Sequence, residues 1–304
     1  MVQLAIKTLQ AIDANIAADQ GASFRVALGT VIPHMGDAYR GKDDSPFRSH
    51  MGASMIGGEC GRAIWYGFRW ATVPTFPSRV LRLFNRGHLE EARFIAMLLA
   101  IGCQVYQQDA NGNQFRISDV GGHFGGSGDG VAIGIPDVPP GVPCLLEFKT
   151  HNDKSFEKLV KEGVRSSKFE HYVQMNTYMR KMGLAVALYM AVNKNNDDIY
   201  AEIVMLDSIT ADKFIERGRN LVLSREAPIK VSNSPGWFAC KWCDHRPVCH
   251  LKAAPARNCR TCSAAEAGED GAWYCLHPKN PVSGAPMVLT KAKQLEACPL
   301  YEAF

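Results

Sequence analysis

The sequence predicts an α/β protein with an N-terminal helical segment and a cysteine-rich C-terminal region. Three observations point there. Long stretches of helical periodicity alternate with short apolar runs that end in Gly, Pro and Asn turns. Two of those runs, Asp129-Gly-Val-Ala-Ile and Pro-Cys-Leu-Leu-Glu147-Phe-Lys149, read as a hairpin around a Pro/Gly turn. Seven of the ten cysteines lie beyond residue 239.

A chain of 304 residues is long enough for one large domain or for a core with appendages. Hydrophobic residues at 46% and charged residues at 21% describe an ordinary globular chain. The net charge of +4 and a pI near 8.5 permit a polyanionic partner without demanding one. The N-terminus lacks a basic segment followed by an apolar run, and no uncharged apolar stretch reaches the roughly 18 residues a membrane span needs. A cytoplasmic protein without a membrane partner is expected. Ten cysteines in that setting favour metal or iron–sulfur ligation over disulfides.

In order, residues 3–18 read as an amphipathic helix, 20–50 as a polar, Gly-rich connection, and 52–70 as a helix with a large apolar face. The Pro-rich stretch 74–77 ends that segment, and a long helix follows over 79–101. Strands are expected at 103–108 and, after an Asn-Gly-Asn turn, through about 124. The Asp129 and Glu147 strands come next, then helix over 153–182 with a break near Ser166. Strands at 185–192 and 199–206 close the series around a polar turn.

Alternation along the second hairpin strand puts Glu147 and Lys149 on one face and Phe148 on the other. Asp129 opens the partner strand after a flexible Gly-Ser-Gly, where a turn brings its carboxylate beside Glu147. Two adjacent carboxylates are costly to ionise unless a cation joins them, and magnesium or manganese is the natural neutraliser. An ammonium beside such a metal holds or deprotonates a water that attacks phosphorus. Asp129, a gap, then Glu147-x-Lys149 resembles the PD-(D/E)XK nuclease superfamily in its degenerate form, with Gly128 where the family has proline. The order helix, strands, helix, strand is the core arrangement of that superfamily, a central mixed sheet flanked by helices.

Within the long helix, His88 and Glu91 stand three apart on one face. Gly87–Glu91 resembles the first motif of the phage-exonuclease and RecB-like branches, which assigns Glu91, with His88 as a further ligand, to the metal shell. Glu90 is expected to face solvent and pair with Arg86 and Arg93. Gln174 and Tyr178, one helical turn apart, match the Gln-x-x-x-Tyr motif of RecB-like and CRISPR adaptation nucleases. There Gln174 orients the lysine or a carboxylate, and Tyr178 contacts a phosphate or stacks on a base. Lys154, Lys158, Lys161, Arg165 and Lys168 recur at helical spacing as one continuous cationic stripe opposite Phe156, Leu159, Val160 and Val164, a candidate track for the DNA backbone.

Cys240-x2-Cys243-x5-Cys249 supplies three thiols, and Cys60 stands far upstream. Soft thiolates suit iron–sulfur clusters and zinc equally. One cysteine before the core and three after it resemble the iron-staple nucleases, which hold a 4Fe-4S cluster. Cys259-x2-Cys262, Cys275 and Cys298 form a second set that reads as a small structural zinc site, with His277 or His250 as substitutes for one thiolate. Cys103 and Cys144, in apolar strand contexts, are core residues.

The resemblance covers about residues 54–250. It implies an N-terminal helical region over 1–78 carrying the first cluster cysteine, a nuclease core over 79–225 and a cysteine-rich region over 226–304. It implies a Mg- or Mn-dependent deoxyribonuclease in which Asp129, Glu147, Glu91 and the Phe148 carbonyl hold the metal and Lys149 positions water. The expected partners are single-stranded DNA or duplex ends and the proteins of a recombination complex. The Asn-Asp-Lys run after Glu147-x-Lys149 and the compact size resemble bacteriophage-encoded members, which would act in host cytoplasm. The competing reading is a DNA-binding or assembly protein of a recombination or CRISPR adaptation complex that keeps the fold and does not cut.

Overall fold

The structure, a computed structural model, describes residues 2–37, 39, 41, 45–277 and 286–304. In chain order its strands and helices are β1 (Gln3–Leu4), α1 (Ile6–Asp19), α2 (Ala22–Val31), β2 (Met51–Gly52), α3 (Gly61–Phe68) and α4 (Ser78–Ala100). Next come β3 (Gln104–Tyr106), β4 (Arg116–Asp119), β5 (Phe124–Ser127), β6 (Gly130–Ile133), β7 (Cys144–His151), α5 (Asp153–Ser167) and α6 (Phe169–Met182). The chain closes with β8 (Val186–Asn193), β9 (Ile199–Met205), α7 (Ser208–Leu223), α8 (Phe238–Lys241), α9 (Arg246–His250), β10 (Ala265–Ala267), β11 (Trp273–Cys275), β12 (Met287–Val288) and α10 (Lys291–Leu295). Among the described residues no helix is long and apolar enough to cross a membrane.

Two compact units emerge, each assembled from three separate segments. The first contains residues 1–43, 76–117 and 127–212, and the second 44–75, 118–126 and 213–304. This corrects the contiguous division at 78 and 225. Residues 1–43 go with the core because β1 pairs with β9 and because Ile12 and Val31 pack among the sheet's buried side chains. The 20–50 connection is also corrected: α2 forms there, since Ala22–Val31 has a Val/Ala/Leu face and no proline.

The first unit is built on a mixed six-stranded sheet in the order β1-β9-β8-β7-β6-β3. Strand β8 is buried at every position, as an apolar run covered on both faces must be. Its partner β7 runs parallel to it, while the β6–β7 and β8–β9 pairs are antiparallel. One face of β7 and β8, Cys144, Leu146, Phe148, Leu188, Met190 and Val192, joins α1, α2 and α4 in a single apolar core. Phe148 stacks on Phe94 of α4 with ring centroids 5.1 Å apart. The other face carries Glu147, Lys149, His151 and Tyr189, and α5 and α6 lie over it. The sheet therefore separates an apolar compartment from a polar one.

The second unit has a parallel β2–β5 pair and an antiparallel sheet in the order β10-β11-β12. Its core alternates aromatic rings with two guanidinium groups. Arg69, 1% exposed, lies over Trp65, Trp273 and Phe304, and Arg260, 3% exposed, over Trp70, Trp273 and Phe68. Residues 44–75 belong here because Trp65, Phe68, Arg69 and Trp70 are four of the seven members of that stack. Burial lowers the pKa of Arg69 to about 10 and of Arg260 to about 9, so both stay cationic at neutral pH.

Leu188 is fully buried at the centre of the six-stranded sheet. Leu188→Ala is expected to cost about 2–5 kcal/mol in urea unfolding, the range for a cavity in a core that cannot collapse.

Candidate active site

Hairpin geometry brings the acid and base groups together. Antiparallel pairing of Gly130 with Leu146 sets Asp129 beside the carboxyl end of β7, where its Oδ2 accepts the Phe148 N–H at 2.8 Å. Gly130 is required there, since a Cβ at this position would meet the Tyr106 carbonyl at 2.9 Å. Glu147 is fully buried, and both its oxygens are engaged. Oε1 accepts from Lys149 Nζ, and Oε2 accepts from Gln174 Nε2 at 3.1 Å. Lys149 Nζ also donates to the Phe148 carbonyl at 3.1 Å.

Helix α4 brings Glu91 within electrostatic reach of Asp129, Lys149 and Glu147. His88 Nδ1 is 3.6 Å from Glu91 Oε1, and its charge acts on Asp129. Glu90 corrects the expectation of a solvent-facing side chain: it is buried, 4% exposed, with Arg93 as its ion-pair partner at 3.1 Å. Glu90 stands one turn before Phe94 and two before Leu98, both buried, on a row of α4 that turns inward.

Three desolvated carboxyls in one place resist ionisation. Burial, then the Asp129 charge, raises Glu91 to about 8. Burial raises Glu147 to about 7, with Asp129 adding to the rise and Lys149 opposing it. Asp129 is raised by burial as well, against Lys149, the Phe148 N–H and His88. Burial works against the Lys149 ammonium, but Glu147, Asp129 and Glu91 outweigh it and hold its pKa above the ordinary value.

Two other expectations are corrected. Tyr178 is 2% exposed, within the run 172–179 of α6 that is buried throughout, rather than on a surface open to phosphates and bases. The cationic stripe is not continuous, because Gly163 adopts φ 72° and bends α5. Lys154, Lys158 and Lys161 are exposed before the bend, and Val160 is exposed beside them rather than opposite. Beyond it, Arg165 lies 3.6 Å from Asp207, and Lys168 turns inward to donate to Ser155 Oγ.

That lysine ends a polar chain the sequence reading missed. Ser155 Oγ is 3.1 Å from His151 Nδ1, His151 Nε2 is 2.9 Å from the Tyr189 hydroxyl, and the same hydroxyl is 3.0 Å from His171 Nδ1. Burial, then Lys168 and Lys149, lowers His151 to about 4. Burial, then Lys149, lowers His171 to about 3, so both rings are neutral at physiological pH. The available signal was alternation: 147, 149 and 151 share one strand face.

The ten cysteines, all among the described residues, form no disulfides. Cys60, Cys240, Cys243 and Cys249 line one cavity with Arg62, His245, Arg246 and His250. Cys259, Cys262, Cys275 and Cys298 line another with His277; His250 belongs to the first cavity and not to this one. Among the described residues no group of three or more His, Cys, Asp or Glu side chains is arranged as it stands to hold a metal ion. Cys103 and Cys144 are core residues whose thiols burial pushes up to about 11 and about 12.

No family model and no curated protein matches the chain. Among solved structures it is similar to the alkaline exonuclease LHK-Exo from Laribacter hongkongensis. In complex with dAMP, LHK-Exo aligns at 16% identity and TM-score 0.42, over 57% of this chain and 86% of that one. A second structure of it aligns at 15% and 0.40 over the same shares. SSO0001 aligns at 13% identity and TM-score 0.39, over 78% of this chain and 98% of that one.

Acids with raised pKa values stabilise the fold while protonated and stop doing so as pH climbs through the folded values. Between about pH 7 and 8 the unfolded chain's carboxyls are already ionised and its histidines largely neutral, so the lowered pKa values of His151 and His171 add little to the slope there. In chelator, urea unfolding should therefore show stability falling from about pH 7 to 8, and Glu91→Gln should flatten that fall. An unchanged slope in the variant would mean the carboxyl cluster is not its source.

Proposed function

We propose that this protein is a metal-dependent DNA nuclease of the PD-(D/E)XK type, acting as an exonuclease in DNA recombination or processing. The observation that carries the reading is the meeting of Glu91, Asp129, Glu147 and Lys149 on α4, the β6 turn and β7, with Gln174 of α6 bonded to Glu147. A structural ion pair needs one acid and one base. Three acids around one lysine are a poor stabilising device and a good cation-binding one.

The donor set fits a hard divalent cation: three carboxyls and the Phe148 carbonyl are all oxygen donors, and burial, together with repulsion of Glu91 and Glu147 by Asp129, raises the carboxyl pKa values in the absence of such an ion. Asp129, Glu147, Glu91 and the Phe148 carbonyl would hold it, with His88 beside Glu91. When bound, magnesium or manganese supplies Lewis-acid polarisation of the scissile phosphate and charge for the leaving 3′ oxygen. Lys149 exchanges Glu147 Oε1 for the attacking water, orients it in line and offsets the negative charge that grows on phosphorus. Gln174 keeps Glu147 in its rotamer by occupying Oε2. Lys154, Lys158 and Lys161, exposed on one stretch of α5, would track the DNA backbone, with Arg165 beyond the bend.

Cys60, Cys240, Cys243 and Cys249 would hold a 4Fe-4S staple. The chemistry of the set fits: four soft donors share one cavity, and Cys60 and Cys249 act electrostatically on Cys240 and Cys243. Joining Cys60 to Cys240 closes a loop of about 180 residues, whose chain entropy the bonds to the cluster would offset.

With end-labelled DNA and magnesium, the wild type should release nucleotides, while Glu147→Ala and Lys149→Ala should each lose at least about 10³-fold in rate and keep a cooperative unfolding transition. Cleavage by either variant at the wild-type rate would remove the assignment. After anaerobic purification, Cys60→Ala should lose the iron and unfold at lower denaturant; iron content equal to wild type would discard the staple.

A further inference from the structure

Arg69 and Arg260 pose an electrostatic problem that nothing in the nuclease reading answers. Both guanidiniums are almost fully buried, and taking a cation out of water is strongly unfavourable unless an anion compensates. Among the described residues neither has a carboxylate partner. The charges acting on Arg69 are those of Cys262 and Arg225, and the one acting on Arg260 is that of Arg69. The Nε of Arg69 is buried without a hydrogen-bond partner.

Both arginines are tied to the second cysteine cluster. Arg69 donates to the Cys262 carbonyl at 3.3 Å and to the Ala265 carbonyl at 2.9 Å. Arg260 stands inside the Cys259-x2-Cys262 turn, donates to the Phe68 carbonyl at 3.1 Å and is held by Gln294 Oε1 at 2.9 Å. That turn is a rigid 3-10 knuckle, with Asn258 and Thr261 capping each other. Cys275 ends strand β11 opposite Ala265. Cys298 arrives on the last turn, which returns to the knuckle through Ser263 N–H to Glu302 O at 2.8 Å and Phe304 N–H to Thr261 O at 3.2 Å. Three separate backbone segments thus deliver four thiols to one cavity, with His277 on its wall.

We propose that Cys259, Cys262, Cys275 and Cys298 form a tetrathiolate zinc site whose net double negative charge is the counter-ion of the buried Arg69 and Arg260 pair. Four thiolates around Zn²⁺ carry two negative charges, equal and opposite to the two guanidiniums. A Cys-x2-Cys knuckle beside a short hairpin is the ligand arrangement of small structural zinc sites. The metal also explains how a segment with three short strands and one five-residue helix is held. The site is independent of the carboxylate cluster and of the first four cysteines.

Elemental analysis of the full-length protein, purified without added metal, should give one zinc per chain. Cys275→Ser should remove it and leave the iron unchanged, and Cys240→Ser should leave the zinc unchanged. Cobalt grown into the wild type should show the intense visible bands and thiolate charge transfer of a tetrahedral sulfur site, a readout that survives if Cys275→Ser fails to fold. Arg69→Gln should weaken zinc about tenfold or more in chelator competition, whereas Arg225→Gln, at an exposed position, should not. Absence of zinc, its retention in Cys275→Ser, its loss in Cys240→Ser alone, or a second cluster's worth of iron would each overturn the proposal, as would equal chelator resistance in Arg69→Gln.

Discussion

The burial of Glu147 governs the rest of the first unit. A carboxylate with no exposure survives only if something satisfies both oxygens, and here an ammonium two residues along the same strand takes one and an amide from a helix takes the other. Each partner then acquires constraints of its own. Lys149 must lie flat against the Phe148 carbonyl, and α6 must cross β7 at the height of Gln174. Asp129 must receive the Phe148 N–H, which fixes the pairing of β6 with β7.

The apolar side of the sheet supplies the rigidity this arrangement needs. Phe148 and Phe94 stack three residues from Glu91, so the contact that seats α4 on the sheet also delivers its carboxylate to the hairpin. On the opposite side, Tyr189 pairs across the sheet with Glu147 and carries the two neutral histidines. With those rings uncharged, the positive charge acting on the acids comes from Lys149, with His88 acting on Asp129.

What the sequence disclosed follows the range of the interactions involved. The hairpin, the long helix α4 and the shared face of Glu147 and Lys149 are local patterns with period two or 3.6, and they were visible. The bend at Gly163 was not, because it depends on a remote partner: Glu202 accepts the Val164 N–H at 2.8 Å, and Val2 fills the space a side chain would need. Once the helix bends, the even spacing of the cations no longer means a common face. The interleaving of 1–43 with the core and of 44–75 with the cysteine-rich segment was equally hidden, since it rests on pairings such as β1 with β9 and Arg69 with Cys262. Glu90 shows the limit from another side. Charge at a helical position says nothing about burial when an arginine three residues on, itself partly exposed, reaches back to pair with it.

Strand β7 tolerates change of one kind and not another. Its chemistry and its packing occupy alternate positions on the same eight residues. A substitution alters one compartment at a time, but a single inserted residue would exchange them, sending Phe148 toward the helix that carries Gln174 and a carboxylate into the aromatic stack. Among descendants of this chain, the apolar side chains along the strand can therefore exchange for others of similar size, while the count of residues between its paired end and Glu147 cannot change.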